Sequence, residues 1–418
     1  MIVKPFRGLR PRADLAARIA SYPYDVLSSA EARRLAAGDP YTFLHVIKPE
    51  IDLDPSVDAY DDRVYVQGRQ SFAAMRERGW LVRDERPAYY VYRLTLDGRS
   101  QTGILGAAAV DDYLHGRIRR HELTRPDKEN DRVRLNEALG AHPGPVFLAY
   151  HPQPRLDGLA AEVAGSPPSV SFTAPDGITH ELWVVDDPER CARIEGLLAA
   201  LPESYIADGH HRAAAAARVA ERRRATLRNP SGLEPAHFFL AAHFPADQLR
   251  ILDYNRLVRD LCGMDRARFL EQVDRAGFEI RGAHHERRPP GRRRFGMYLA
   301  GAWYLLTARP EPAAENHDPV AALDISLLSR RLLEPVLDIR DPRTDPRIDF
   351  VGGIRGMDEL ERRVDSGEWS AAFALHPTSL DEVMRVADAG KVMPPKSTWF
   401  EPKLRSGLVV QLLEGDTL

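Results

Sequence analysis

Apolar and polar positions alternate in short blocks whose period changes along the chain. Residues 88–96 are strand-like, Asp97-Gly98 supplies a two-residue turn, and 101–110 return, which predicts a β-hairpin. Ahead of it, Ser28 and Glu31 form a capping-box pattern for a helix ending near Gly38, and a second helix is expected around 64–78. Further on, 132–139 reads as helix and 145–150 as a buried strand. A hairpin follows over 170–174 and 179–185, around Pro175-Asp176-Gly177. Helix is predicted at 188–200, a short strand at 204–207, a long Ala-rich helix at 211–224 and an apolar strand at 237–244. Beyond Cys262, 266–276 reads as helix, and 278–283 and 294–306 as the two strands of a hairpin. Helices and strands mix irregularly, so the fold class expected is α+β, not a regular βαβ array. Three regions are expected: 1–100, 101–260 and 261–418.

Composition narrows the function classes. The 418 residues suffice for two or three domains, and the net charge of −3 advertises neither nucleic acid nor an acidic tail. No basic helix–turn–helix stretch appears, and the Arg-rich segment 287–294 contains Pro-Pro-Gly and no interleaved aromatics, so it reads as a solvated loop. Cys191 and Cys262 make no metal or disulfide framework. The first residues lack the apolar core of a signal peptide, and no run of about 18 apolar residues exists. A cytoplasmic protein without membrane or nucleic-acid partners is expected; oligomeric state is not readable. Nearly every base is Arg. Lysine is kept only at 4, 48, 128, 391, 396 and 403, and two of these fall in one C-terminal motif.

Three clusters carry candidate chemistry. Common nucleotide and metalloprotease signatures are missing. Asp208-Gly209-His210-His211-Arg212 stands where a strand meets a helix. Asp208 suits a helix cap or a magnesium ligand, Gly209 a close approach of backbone to ligand, and Arg212 a fork onto phosphate. Either His210 or His211 could donate a hydrogen bond to a phosphoryl oxygen, or one could shuttle a proton. The second cluster, His121-Glu122-Leu123-Thr124 with Lys128 and Arg132 after it, offers a general base in Glu122 oriented by His121. Taken alone, it reads first as a charged surface segment before a helix. The third is the proline-stiffened stretch 393–407, where Lys396, Ser397, Thr398, Lys403, Arg405 and Ser406 present cations and hydroxyls to an anion, before a strand at 407–410. Residues 22–26 are weaker pocket candidates.

The stretches PFRGLRP, YPYDVLSSAEAR, FLHVIKPE, HELT, KENDR, IADGHHR and PPKSTWFEPKLRSG occur in this order. Together the sequence resembles the bacterial family called domain of unknown function 1015. The HE pair followed by DGHHR also resembles free serine kinases of the ParB/sulfiredoxin superfamily. The resemblance implies a ParB/sulfiredoxin-like mixed α/β core at 101–260 between additional N- and C-terminal α+β regions. It implies a kinase moving a phosphoryl group from ATP or ADP, with Mg2+, to a small hydroxyl substrate such as free L-serine. Glu122, His121 and His211 would be catalytic. Asp208, Gly209, His210, Arg212, Lys396, Ser397, Thr398, Lys403 and Arg405 would hold the nucleotide, and Asp208 the metal. A nucleotide-binding switch or scaffold, and a phosphoester hydrolase, are the other readings the same site admits.

Overall fold

The computed structural model describes residues 1–225, 232–282, 286–310, 318–415 and 418. The chain divides into two compact units, Met1–Leu249 with Pro402–Leu418, and Arg250–Glu401. Both mix helix and strand, as the irregular pattern predicts. No described helix is long and apolar enough to cross a membrane.

The first unit is built on a nine-stranded mixed sheet. Its strands are β1 (Val3–Lys4), β2 (Tyr89–Leu96), β3 (Arg99–Ala109), β4 (Ile118–Arg119), β5 (Val146–Tyr150), β6 (Val170–Thr173), β7 (Thr179–Val185), β8 (Ser204–Asp208) and β9 (Phe238–Pro245). They lie in the order β4-β8-β5-β9-β3-β2-β7-β6, with β1 pairing β3. Pairings β4–β8 and β5–β9 are parallel and the others antiparallel. Strands β5 and β9 are buried along their whole length, which is why both read as continuous apolar runs. Val91, Ile104, Leu148, Ile206 and Phe239 join one core with Leu156, Ile194 and the Ala213–Ala220 face of the long helix. The capping box is as expected, with Ser28 opening the helix Ser29–Ala36 and Glu31 closing the reciprocal bond.

Two helices of this unit are α1 (Pro126–Leu139) and α2 (His210–Arg224). Helix α1 starts six residues earlier than the sequence pattern suggests, with Pro126 in its first turn. The charged KENDR stretch is therefore helical. Its polar residues meet α2: Arg218 Nη1 donates to Glu129 at 2.9 Å and to Asn130 at 2.7 Å, and Arg222 pairs with Glu137 at 2.9 Å. The strand expected at 407–410 is displaced. Val410 makes a single bridge to Leu9, and the strand itself is Gln411–Leu412, paired with Ala141–His142.

The second unit holds a six-stranded sheet of β10 (Tyr254–Val258), β11 (Phe278–Arg281), β12 (Arg294–Leu299), β13 (Ala302–Ala308), β14 (Ile348–Gly352) and β15 (Ala371–Leu375). The order is β11-β13-β12-β15-β10-β14, antiparallel throughout. The stretch expected as one strand over 294–306 is a hairpin. Its turn is Ala300-Gly301, both at positive φ (50° and 78°), the geometry of a two-residue hairpin loop. Strand β11 pairs with the far arm, β13, and the last residue expected for it, Ala283, lies outside the described residues.

Candidate functional site

Strand β8 ends at Asp208 and α2 begins at His210, so the direction change falls on Gly209. Its φ is +96°, a conformation that side-chain-bearing residues rarely adopt. A Cβ there would also meet Arg212 Nε at 2.9 Å. Gly209 is the N-cap, and no side chain caps the helix. Asp208 is thus not the cap that its position suggests. The first bond inside α2 runs from Ala213 N to Gly209 O, so the amides of the first turn have no partner within the helix. Five consecutive alanines, Ala213–Ala217, are buried behind it, small enough to seat α2 close on the sheet.

Asp208 is claimed by two cations instead. Oδ1 accepts from Lys403 Nζ at 2.8 Å, and Oδ2 accepts from Arg212 Nη2, one helical turn on. Arg212 Nη1 also donates to Pro145 O, and its Nε is buried without a partner. The side chains of Asp208, Lys403 and Arg212 are 20%, 13% and 12% exposed, so this is a mostly dry ion cluster. Burial alone would raise the Asp208 pKa, but Lys403 and Arg212 outweigh it and hold the carboxyl well below its usual range. Burial would lower Lys403 and Arg212, yet Asp208, helped by the exposed Asp25, raises both.

The histidines form a second layer. His121 and His210 are buried and meet edge to face, ring centroids 4.5 Å apart. The His121 amide donates to His210 Nε2 at 3.5 Å, leaving Nδ1 to face Glu122 Oε2 at 3.6 Å. Burial lowers His121 to about 4 and drives His210 far below the ordinary imidazole value, so both are neutral near pH 7. Glu122 itself is 47% exposed. The HELT segment is thus no plain surface loop: its histidine is core and its glutamate reaches solvent. His211 accepts from the Arg125 amide through Nε2 at 3.1 Å, and burial lowers its pKa.

The C-terminal motif does not act as one loop. Lys403 joins Asp208. Arg405 is buried in the same unit but engaged elsewhere: it pairs with Asp176, approaches His180 Nε2 at 3.2 Å and lies 3.9 Å over the Tyr22 ring. Lys396, Ser397 and Thr398 belong to the second unit. Lys128 donates to Tyr60 Oη at 2.8 Å, and Arg132 pairs with Asp131 at 2.5 Å under the Tyr24 ring. Sequence reasoning gave Tyr24 and Asp25 little weight. Their signal was position, directly before the Ser28 capping box.

Among the described residues no three His, Cys, Asp or Glu side chains converge as ligands. Mg2+ is commonly held by one or two carboxylates together with substrate phosphates. Asp208 is a single carboxylate whose two oxygens already accept from Lys403 and Arg212, so it offers no protein-only cage.

Among solved structures, free serine kinase in complex with AMP is 13% identical, with 71% of this chain and 86% of that chain covered and a TM-score of 0.35. A conserved hypothetical protein from Pyrococcus furiosus is 15% identical (74% and 95% covered, TM-score 0.36). SbnI with C-terminal truncation from Staphylococcus aureus is 12% identical (72% and 85% covered, TM-score 0.38). No curated protein matches the sequence. Residues 3–326 match the family described as "Protein of unknown function (DUF1015)", and the chain belongs to that family.

Proposed function

We propose that this protein is a small-molecule phosphotransferase that moves a phosphoryl group from ATP or ADP to a hydroxyl, with free L-serine the leading acceptor. One observation carries the reading: two mostly buried cations, Lys403 and Arg212, meet at Asp208 beside the uncapped start of α2. The unpaired first-turn amides and the helix dipole favour a phosphate there, and Lys403 and Arg212 bring two cations to it. The resemblance of the HE and DGHHR motifs to free serine kinases supports the same chemistry. It also supports a ParB/sulfiredoxin-like core at 101–260, between N- and C-terminal regions at 1–100 and 261–418.

In this reading Arg212, Lys403 and the α2 amides bind the donor phosphates, with Gly209 letting them approach. Glu122, exposed and faced by neutral His210, takes the acceptor hydroxyl proton. His211 donates to a phosphoryl oxygen through its Nδ1. Arg405 is a further proposed nucleotide contact within the first unit, and Lys396, Ser397 and Thr398 are proposed phosphate contacts of the second unit by itself. Mg2+, when bound with nucleotide at Asp208, neutralises phosphate charge. Positioning and electrostatic stabilisation do most of the catalysis.

Product analysis tests this. Protein, Mg2+, nucleotide and a panel of small hydroxyl compounds are incubated and separated by chromatography. Phosphorylated acceptor in step with nucleotide loss is expected. Nucleotide loss with free phosphate alone would make the protein a hydrolase. Binding without turnover would make it a nucleotide-dependent switch.

A further inference from the structure

The second unit buries a cation that no acid answers. Strand β10 carries Arg256 into the core, where it is 1% exposed. Its Nη1 donates to Tyr254 O and its Nη2 to Pro395 O at 3.1 Å, while Nε is buried with no acceptor. Phe350 lies beside the guanidinium, 5.0 Å from ring centroid to Cζ. Among the described residues no carboxylate pairs with it. Backbone carbonyls supply dipoles, not charge, so a guanidinium placed this way keeps a strong outward positive field.

The segment tied down by Arg256 leads straight to a second cation. Lys396 follows Pro395, is exposed, and sits at φ +54°. That conformation costs a lysine energy that a glycine would not spend, and this chain keeps very few lysines. Lys396 Nζ lies 5.8 Å from the centroid of the Tyr254 ring, and among the described residues it too has no acidic partner. Tyr254 therefore joins the two: its carbonyl holds Arg256 and its ring underlies Lys396. Ser397 Oγ donates to Pro394 O at 2.6 Å and Ser397 O accepts from Thr378 at 3.0 Å, which fixes the turn. The Thr398 hydroxyl follows, partly exposed.

We propose that Arg256, Lys396 and Thr398 form an oxyanion subsite in the second unit that takes a phosphate group. Lys396 captures the anion at the surface, Thr398 donates to it, and the buried charge of Arg256, tied to Pro395 O, adds positive potential beneath the same turn. The subsite draws on the phosphate chemistry proposed above but requires no transfer, so it survives if that reading fails.

The test is calorimetric titration of inorganic phosphate into the full-length protein at constant ionic strength, with chloride as the control. Wild type, Lys396→Gln, Arg256→Met and Glu122→Gln are compared. The expected result is phosphate binding by wild type and Glu122→Gln, weakened about 10-fold or more by Lys396→Gln and by Arg256→Met. Lys396 is exposed, so its variant decides the matter even if Arg256→Met fails to fold. Phosphate binding that ADP displaces in Glu122→Gln, with the same dependence on Lys396, assigns the group to a nucleotide. Binding that ADP leaves untouched assigns it to free phosphate or another ester. No phosphate heat above chloride, or wild-type affinity in Lys396→Gln, overturns the proposal.

Discussion

Replacing Asp208 by Asn keeps the side-chain shape and removes the negative charge to which both Lys403 and Arg212 donate. Two ion pairs are lost together, the first at 2.8 Å and the second one helical turn away. Charges about 4 Å apart at an effective dielectric near 20 attract by about 4 kcal/mol per pair. Relief of the carboxylate's own desolvation offsets much of that. Breaking buried pairs by removing one partner typically costs about 3–5 kcal/mol. The side chains are 12–20% exposed, which places the expected loss at the low end, about 3 kcal/mol. For a domain of this size that is a fall in Tm of about 6–12 °C. The assay is thermal and urea unfolding at pH 7.5 of wild type, Asp208→Asn, Lys403→Met and the double variant. A coupling of about 2 kcal/mol between positions 208 and 403 is expected, because Lys403→Met in the Asp208→Asn background no longer removes a partner. Asp208→Asn within about 0.5 kcal/mol of wild type, with no coupling, would refute the ion cluster as a structural and electrostatic centre.

Acid should destabilise the fold through buried neutral histidines. Burial lowers His121, His142 and His243 each to about 4. The unfolded chain takes up protons below about pH 6.5 while the native state does not, so stability is full above that pH and falls between 6.5 and 4. At pH 5 each costs about 2 kcal/mol, and urea midpoints from pH 7.5 to 5 check it; a flat profile contradicts the buried, neutral assignment. Gly209→Ala should cost about 1–2 kcal/mol from the positive φ alone, more if the Cβ displaces Arg212, and should weaken nucleotide binding in a fluorescence titration; a neutral effect on both is evidence against the strained turn. Mg2+ alone should leave Tm unchanged, whereas Mg2+ with ATP or ADP raises it. A millimolar-range shift with the metal alone would point to a protein-only cage that a single carboxylate does not explain.

Elements set by local chemistry were legible in the chain. The Ser28/Glu31 box, the Asp97-Gly98 turn and the strand–glycine–helix junction at Asp208-Gly209-His210 each depend on residues within a few positions. The first two turns of α1 were not, because its polar residues are satisfied by another helix. Glu129 and Asn130 meet Arg218, and Asp131 accepts from Tyr65 Oη at 3.0 Å, so no apolar stripe marks the start. The Ala300-Gly301 turn was missed because alanine seldom adopts positive φ. In the site, the DGHHR residues were recognisable as chemistry, but their partners were not. Lys403 reaches Asp208 across 195 positions, and no spacing rule connects them. The motif holding Lys396 and Lys403 looked like one loop, yet the unit boundary falls between Glu401 and Pro402.

The central claim is phosphoryl transfer with Glu122 as base, and phosphorus NMR tests it most directly. Purified protein is followed in one tube with Mg2+, ATP or ADP, and L-serine, beside Glu122→Gln under identical conditions. A growing phosphomonoester resonance in wild type is predicted. Glu122→Gln should lack it while keeping wild-type stability and nucleotide affinity, since that side chain is 47% exposed. Equal product in both samples would contradict the assignment of Glu122, and unchanged nucleotide in wild type with every acceptor tried would contradict the phosphotransferase itself.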